Sequence, residues 1–408
     1  MDKRKKLLII GIVMNCGGTE KSFLSFAGCL DFREWDVTLL LAKRQGELIA
    51  QIPPEINVIT LPDPEHADMF LLSKQNAAKT IWKCFGRKNP LVLFEILPYF
   101  IKIIFNPKKR ADYATRMWCM LLHRFARLED EYDVAAAYWG DRTMFYMVEC
   151  VNAKKKIAWL HFDYGNPTRD DLLYGSYFSR CDSVVAVSAE INAQLNQKFP
   201  ALADKFITIE NINNPKFIQS LALQGQSYPD TKYRGLRILT IARICHQKGI
   251  DLIIEALVKL RAEEFEFRWY VLGGGEEEEV NQMKAKAVEC GVADMLILLG
   301  TTVNPYPYLL MCDIYVQASR YEGKPITVEE AKMLCRPIVA TNYVSAAEQL
   351  EGGELGIIVD IDADSIYRGV ARMLSDADLR QSFKNKLMER DFGNKSEINK
   401  FYQIAGEG

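Results

Sequence analysis

The chain has 408 residues, about two to three times the length of one typical domain, and 49% of them are hydrophobic, enough to fill two cores. Its 51 basic and 53 acidic residues leave a net charge of -2, which excludes a nucleic-acid binder that works through bulk charge. Ten cysteines without a C-x-x-C pair, beside only four histidines, point to reduced and mostly buried thiols in a cytosolic protein rather than to a disulfide framework or a zinc site.

The basic start, Met-Asp-Lys-Arg-Lys-Lys, leads into the apolar run Leu7 to Met14 and looks superficially like a leader. The run stops at Asn15-Cys16-Gly17-Gly18, too short for a membrane span, and is expected to be a first strand. A helix is expected from about Lys21 to Leu30, so Gly17 and Gly18 sit on a strand-to-helix turn where backbone can approach a ligand or simply turn tightly. The run is not the dinucleotide fingerprint G-x-G-x-x-G. Further strands are expected at Val37–Leu41, Val58–Leu61, Val134–Tyr138, Ile157–Leu160, Val184–Ser188 and Ile207–Ile209.

Residues 73–127 break this alternation. From Lys74 to Arg127 there are twelve Lys or Arg against two acids, Glu95 and Asp112, interleaved with Trp82, Phe85, Phe94, Tyr99, Phe100, Phe105 and Trp118. Such an amphipathic basic segment suits either an anionic membrane surface, held electrostatically and released by salt, or helices that cap the sheet with a solvated basic face. Leu91 to Phe105 is too short, and too interrupted by Glu95, Pro98 and Lys102, to cross a bilayer. No nucleic-acid motif accompanies these charges.

His161, in Ala158-Trp-Leu-His-Phe-Asp163, ends a strand, which in an open α/β sheet is where ligands bind, though a half-buried structural histidine fits the same context. The turn-rich Asn211-Ile-Asn-Asn-Pro215 marks a domain boundary, followed by a linker through Tyr233. The alternation then restarts with a strand at Arg237–Ile241 and a loop carrying Arg243 and Lys248 into a helix that ends near Arg261. Two cations at a helix N-terminus can meet one anion, although surface charge is the commoner meaning. Phe267–Leu272 is a strand that turns through Gly273, Gly274 and Gly275, and Leu296–Leu299 is the next. Ile314–Val316 and Ile338–Ala340 are strands that bracket Ser319–Thr341, which reads SRYEGKPITVEEAKMLCRPIVAT. Glu322 falls on the loop of that stretch and Glu330 on its helix. Gly356–Asp360 and Ser365–Leu374 complete the pattern, with Asp360 and Asp362 as turn and cap residues, and the tail Asn394–Ile404 is helical.

Glu, seven residues, then Glu-Ala, after Ser-Arg-Tyr and before a Pro-led strand, resembles the signature of family four of the retaining glycosyltransferases. So does Arg243 followed by Lys248-Gly-x-Asp251, and so does the Gly17-Gly18-x-Glu20 turn. The resemblance implies an α/β protein of the GT-B fold: two Rossmann-like, doubly wound parallel-sheet domains facing across a cleft. It implies an acceptor domain at 1–213, a nucleotide-sugar domain at 214–392, and a helix at 393–408 crossing back to the N-terminal domain. It implies His161, Arg243, Lys248 and Glu322 as catalytic, with Arg243 and Lys248 on the diphosphate. Gly17, Gly18, Gly274, Lys324, Pro325, Ile326, Thr327 and Glu330 would bind the sugar nucleotide, Glu330 at the ribose. Many members have an aromatic-Gly pair at Lys324-Pro325, so donor choice is expected there.

The expected activity is retaining, metal-independent transfer of a sugar from a nucleotide diphosphate sugar, UDP-linked by preference. The expected acceptor is a glycan or lipid-linked saccharide of a bacterial surface polysaccharide, capsular or lipopolysaccharide. No cofactor, metal or nucleic acid is expected. The expected location is the cytoplasm, with 73–127 as a contact to the inner face of the plasma membrane. The competing reading is a non-catalytic sugar-nucleotide or glycan-binding partner of another transferase.

Overall fold

Leu7 to Ile10 are almost fully buried, and a run that is apolar on both faces belongs at the centre of a sheet covered on both sides. The computed structural model, which describes residues 4–71, 77–86, 89–166 and 169–406, places it there. The chain divides into two units, one formed by Met1–Glu210 with Ser396–Gly408 and the other by Asn211–Lys395.

The first unit holds β1 (Lys5–Gly11), β2 (Trp35–Leu41), β3 (Asn57–Thr60), β4 (Glu131–Ala137), β5 (Asn152–Leu160), β6 (Ser183–Ala186) and β7 (Phe206–Thr208). They form one parallel sheet in the order β3-β2-β1-β4-β5-β6-β7. The strand order reverses between β1 and β4, and the loops at the carboxyl ends beside such a reversal form a crevice for ligands. β1 ends at Gly11 rather than Met14. Val13 and Met14 are buried all the same, because this loop bonds the 45–48 turn: Met14 N–H donates to Gln45 O at 2.8 Å and Leu48 N–H to Met14 O at 2.9 Å.

The last helix, Glu397–Gly406, belongs to this unit although the chain reaches it from the other, as the resemblance implies. Phe401 stands edge-on to Phe26 with ring centroids 5.0 Å apart, and Tyr402 stacks on Trp35 at 6.4 Å. The Tyr402 hydroxyl accepts the Asp31 N–H at 2.8 Å, and Glu397 accepts the Glu210 N–H at 2.9 Å. Of the basic segment, residues 73–76 and 87–88 lie outside the described residues. The rest is mostly helical, chiefly Val92–Phe105 and Arg110–Leu121. Trp118 anchors the second of these helices, with its ring on Phe70 and its N–H donated to Met69 O at 3.0 Å.

The second unit holds β8 (Leu236–Ile241), β9 (Phe267–Leu272), β10 (Leu296–Gly300), β11 (Ile314–Gln317), β12 (Ile338–Thr341) and β13 (Ile357–Val359). The parallel order is β10-β9-β8-β11-β12-β13, with the reversal between β8 and β11. Alternate residues feed opposite cores: Ile238, Trp269, Val271, Ile314 and Val316 on one side, Leu239, Tyr270, Leu272 and Tyr315 on the other. The expected linker after Asn214 contains a helix, Pro215–Ala222, which corrects that reading. Asn214 caps it by accepting the Phe217 N–H and Pro215 suits its first turn, while Ile218 and Ala222 are the buried pair, too short a period to stand out. The helix Ala377–Met388 was not anticipated either. Among the described residues no helix is long and apolar enough to cross a membrane, and all ten cysteines are free thiols.

Candidate functional site

In the second unit the loops after β8 and β11 leave neighbouring strands at the point where the order reverses. The β8 loop runs from Ala242 to Gly249 and opens the helix Ile250–Leu260. Gly249 adopts φ +68°, and a Cβ there would lie 2.1 Å from Ala318 O at the end of the β11 strand, so only glycine lets the two loops touch. Where they meet, Arg320 N–H donates to Gln247 O at 2.8 Å and the Gln247 side chain to Tyr321 O at 2.9 Å. The Arg320 guanidinium forks onto Asp251 at 2.8 and 2.5 Å and also reaches His246 O at 2.6 Å. Burial alone would raise the Asp251 carboxyl, but the Arg320 hydrogen bonds outweigh it and hold it below the usual range. Sequence reasoning took Asp251 and Arg320 as motif letters. That they bond each other appears only once the two loops are adjacent.

Lys248 and Glu322 are brought together. The Lys248 ammonium lies 2.5 Å from Glu322 Oε1, and the same oxygen accepts Ser319 Oγ at 2.6 Å and Gln317 Nε2 at 2.9 Å. Three donors on one oxygen fix this buried carboxylate and balance its charge. Arg243 is exposed and has no acid or carbonyl partner among the described residues. The site therefore offers one cation already engaged and one free to meet an anion.

The helix Ile326–Met333 starts at Pro325; Val328 N–H donates to Pro325 O at 3.2 Å, while the Ile326 and Thr327 amides open the helix at the positive end of its dipole. Two buried side-chain donors hold the carbonyls of the preceding loop, Ser345 Oγ to Gly323 O at 2.6 Å and Gln349 Nε2 to Pro325 O at 3.1 Å. Lys324 is buried with its ammonium 2.6 Å from Glu348, so it presents charge and backbone to the loop rather than a free side chain. Thr327 Oγ1 bonds Gln317 Oε1 at 3.2 Å. Glu330 is almost fully buried and accepts the Tyr306 hydroxyl at 2.8 Å. Burial, and then the Glu330 charge, push that phenol well above its usual range.

Two residues here escaped sequence reasoning. Tyr306 lies 24 positions before Glu330 and only the fold joins them. Glu329 is buried among Lys332 at 3.0 Å, Gln349 at 2.9 Å and Asn213 at 3.2 Å. Its burial would raise the carboxyl, yet Lys332 and Lys324 hold it below the usual range. The Glu-x-x-Lys spacing of Glu329 and Lys332 was the available signal. Beside this helix, Gly273 N–H donates to Gly300 O at 2.8 Å and Ile244 N–H to Gly274 O at 2.7 Å, which sets the glycine turn against the Arg243 loop. Asp362 caps the helix Ala363–Ser375 by accepting the Ser365 N–H at 2.7 Å, the cap role read from sequence.

The first unit carries the remaining candidates. Gly17 precedes the helix Gly18–Ala27, three residues earlier than expected, and a Cβ there would lie 2.2 Å from the buried Glu20 carboxylate, which folds back over the helix start. Gly18 is exposed. His161 follows β5, half-buried between Tyr138 at 4.7 Å and Trp159 at 6.3 Å between ring centroids. Its Nε2 is enclosed without a hydrogen-bond partner among the described residues, and burial pushes the imidazole down to about 3, so the ring is neutral at physiological pH. A neutral ring can donate or accept a hydrogen bond but does not carry charge to a phosphate.

Residues 231–390 match the family model described as glycosyl transferases group 1. Among curated proteins, 257 residues are 26% identical to the N-acetylgalactosamine-N,N'-diacetylbacillosaminyl-diphospho-undecaprenol 4-alpha-N-acetylgalactosaminyltransferase of Campylobacter jejuni, covering 62% of this chain and 67% of that one. Over 138 residues the chain is 30% identical to the lipopolysaccharide core biosynthesis mannosyltransferase LpcC of Rhizobium leguminosarum, covering 33% of this chain and 39% of that one. Among solved structures, HepE of Anabaena, in complex with UDP and glucose, aligns over 99% of both chains with a TM-score of 0.68 and 15% identity. The two Rossmann-like sheets are the GT-B fold.

Proposed function

We propose, from the match of residues 231–390 to the group 1 glycosyl transferases, that the chain moves a sugar from a UDP-sugar to a saccharide acceptor with retention at the anomeric carbon. The observation that carries this reading is the joined pair of loops at the β8–β11 reversal, with Arg243 free, Lys248 bonded to Glu322 at 2.5 Å, and the amide-bearing helix start at Pro325 beside them. In the reaction the bond from the anomeric carbon to the diphosphate oxygen breaks. The acceptor oxygen bonds that carbon from the same face and passes its proton to the departing phosphate oxygen. Negative charge therefore grows on the diphosphate.

Arg243, Lys248 and the Lys324–Thr327 amides are the groups that meet that charge. At an effective dielectric near 20, one cation about 4 Å away contributes on the order of 4 kcal/mol; Arg243 supplies that, while Lys248, which shares its charge with Glu322, and the helix amides add to it. Glu322, neutralised by Lys248, accepts from donor-sugar hydroxyls, and Glu330, steadied by Tyr306, accepts from the ribose. Gly17 and Gly18 admit the phosphate, and neutral His161 orients the sugar as a hydrogen-bonding group rather than as a proton carrier. In this reading the first unit holds the acceptor. The Campylobacter and Rhizobium relatives, named for a diphospho-undecaprenol-linked saccharide and for the lipopolysaccharide core, support a glycan or lipid-linked acceptor of a surface polysaccharide. Such an acceptor places the enzyme peripherally on the cytoplasmic face of the membrane that holds it.

The test is release of UDP from a panel of UDP-sugars with and without lipid-linked saccharide, with the anomeric configuration of any product read by NMR. Arg243→Ala should lower turnover by about 100-fold or more with nucleotide binding largely kept. Normal turnover in that variant would overturn the assignment. Nucleotide binding without release or transfer from any donor would make the chain a non-catalytic partner instead.

A further inference from the structure

The helix Val92–Phe105, with sequence VLFEILPYFIKIIF, is apolar nearly all round. A helix of that kind is ordinarily enclosed on every side. Here only Val92 and Ile96 are buried against the unit. At 100° per residue, Leu93, Ile104, Leu97, Ile101, Phe94 and Phe105 fall in sequence around one continuous arc of about 120° on the opposite side. They are all exposed, Phe94 at 74%, Ile104 at 64% and Phe105 at 77%. Leu91 at 62% extends the arc.

Cations border this face. Lys102 stands about 60° beyond the Phe105 edge of the arc, and Lys108, Lys109 and Arg110 are exposed soon after the helix. The acids of the segment are partnered or half-buried: Glu95, beside Lys102 on the helix, pairs with Arg124 at 2.5 Å, and Asp112 is half-buried. The face thus presents apolar side chains and positive charge without an exposed acid among the described residues of the segment.

We propose that this helix lies in the plane of an anionic lipid bilayer, with Phe94, Leu97, Ile101, Ile104 and Phe105 inserted among the acyl chains and Lys102, Lys108, Lys109 and Arg110 on the headgroups. A second copy of the chain would meet these cations with the same cations, whereas anionic lipid answers both the charge and the apolar arc. The sequence pointed to electrostatic attachment that salt would reverse. In the folded chain insertion outweighs that attraction, because the exposed surface of the helix is chiefly apolar and screening does not act on apolar burial. The proposal rests on the glycosyltransferase reading only for its purpose, which is to bring the site to an acceptor carried on membrane lipid.

The experiment is co-sedimentation of the full-length chain with vesicles of neutral phosphatidylcholine, alone or with about one third phosphatidylglycerol, at 0.1 M and 1 M salt, with UDP release from donor assayed in the same samples. The wild type should bind the anionic vesicles and keep part of that binding at 1 M salt. Phe94→Ser, Ile101→Ser and Ile104→Ser combined should weaken binding by about 100-fold or more, since each removes several inserted carbons. Lys108→Glu with Lys109→Glu should weaken it by about tenfold on anionic vesicles only. Because all five positions are exposed, nucleotide-stabilised melting and UDP release in solution should match the wild type. Equal binding by the serine variant, complete release by 1 M salt, or a concentration-dependent dimer that the serine variant breaks would each overturn the proposal. UDP release in solution is independent of these outcomes, so its loss would count against the catalytic reading and not against the membrane face.

Discussion

Replacing Arg320 with Ala should disconnect the two loops that carry the proposed donor site. The wild-type guanidinium reaches both oxygens of Asp251, at 2.8 and 2.5 Å, and the His246 carbonyl at 2.6 Å. The two side chains are 20% and 24% exposed, neither at the surface nor in the core. Exposed pairs contribute about 0 to 1 kcal/mol, and stripping one partner from a buried pair costs about 3 to 5 kcal/mol, so about 2 kcal/mol is expected here. A double-mutant cycle with Asp251→Asn should return a coupling of about 1 to 2 kcal/mol at pH 7. The measurement is urea unfolding, read on the transition that UDP is expected to shift if the proposed function holds, because a chain of two units need not unfold in one step. The Asp251 carboxyl is held below its ordinary value of 3.8, so this contribution is fully present above that value and disappears as pH falls through the lowered one. The donor KM should rise as well, because Lys248 sits on the freed loop. A coupling below about 0.5 kcal/mol would show that the loops are held by their backbone bonds alone and would refute the reasoning.

Tyr306→Phe removes the hydrogen bond to Glu330 and should weaken UDP binding by about 1.5 kcal/mol, roughly tenfold, with turnover at saturating donor little changed; calorimetry and steady-state kinetics separate the two. Phe401→Ala empties the place between Phe26 and Trp35 and should destabilise the first unit by about 3 to 5 kcal/mol, leaving the UDP-shifted transition in place in a calorimetric scan. His161 is neutral in the fold with its value lowered from 6.5 to about 3, so the folded state binds fewer protons than the unfolded chain in that window. Stability contributed at this position is therefore present above pH 6.5 and lost as pH falls toward 3. In His161→Phe the midpoint temperature should fall less steeply between pH 6.5 and 4, and an identical slope would mean that another group governs the acid limb.

Much of this fold is legible residue by residue. Phe267–Leu272 is read to its boundaries because a short apolar run between polar turns has one stable place, the interior of a parallel sheet. The last helix is legible as a helix from its period. The helix Pro215–Ala222 escaped because eight residues with two buried positions carry little period, and its surroundings are rich in turn formers. The basic segment was legible in its charge, but not in which face its apolar residues take. That depends on what Val92 and Ile96 pack against.

The sequence by itself determined the alternation of strands and helices, two α/β halves, and the residue types of the proposed donor site at Glu322, Glu330, Arg243 and Lys248, because spacing and side-chain chemistry are local properties. Tertiary structure alone decided which of those charges are engaged. It put Lys248 on Glu322, Arg320 on Asp251, Tyr306 on Glu330 and Lys324 on Glu348, and it left Arg243 without a partner among the described residues. It also decided that the apolar arc of Val92–Phe105 stays uncovered. The physical reason is the same throughout. A hydrogen bond or a burial is a relation between surfaces far apart in the chain, and the strand order and loop adjacency that create it are written in no single stretch of residues.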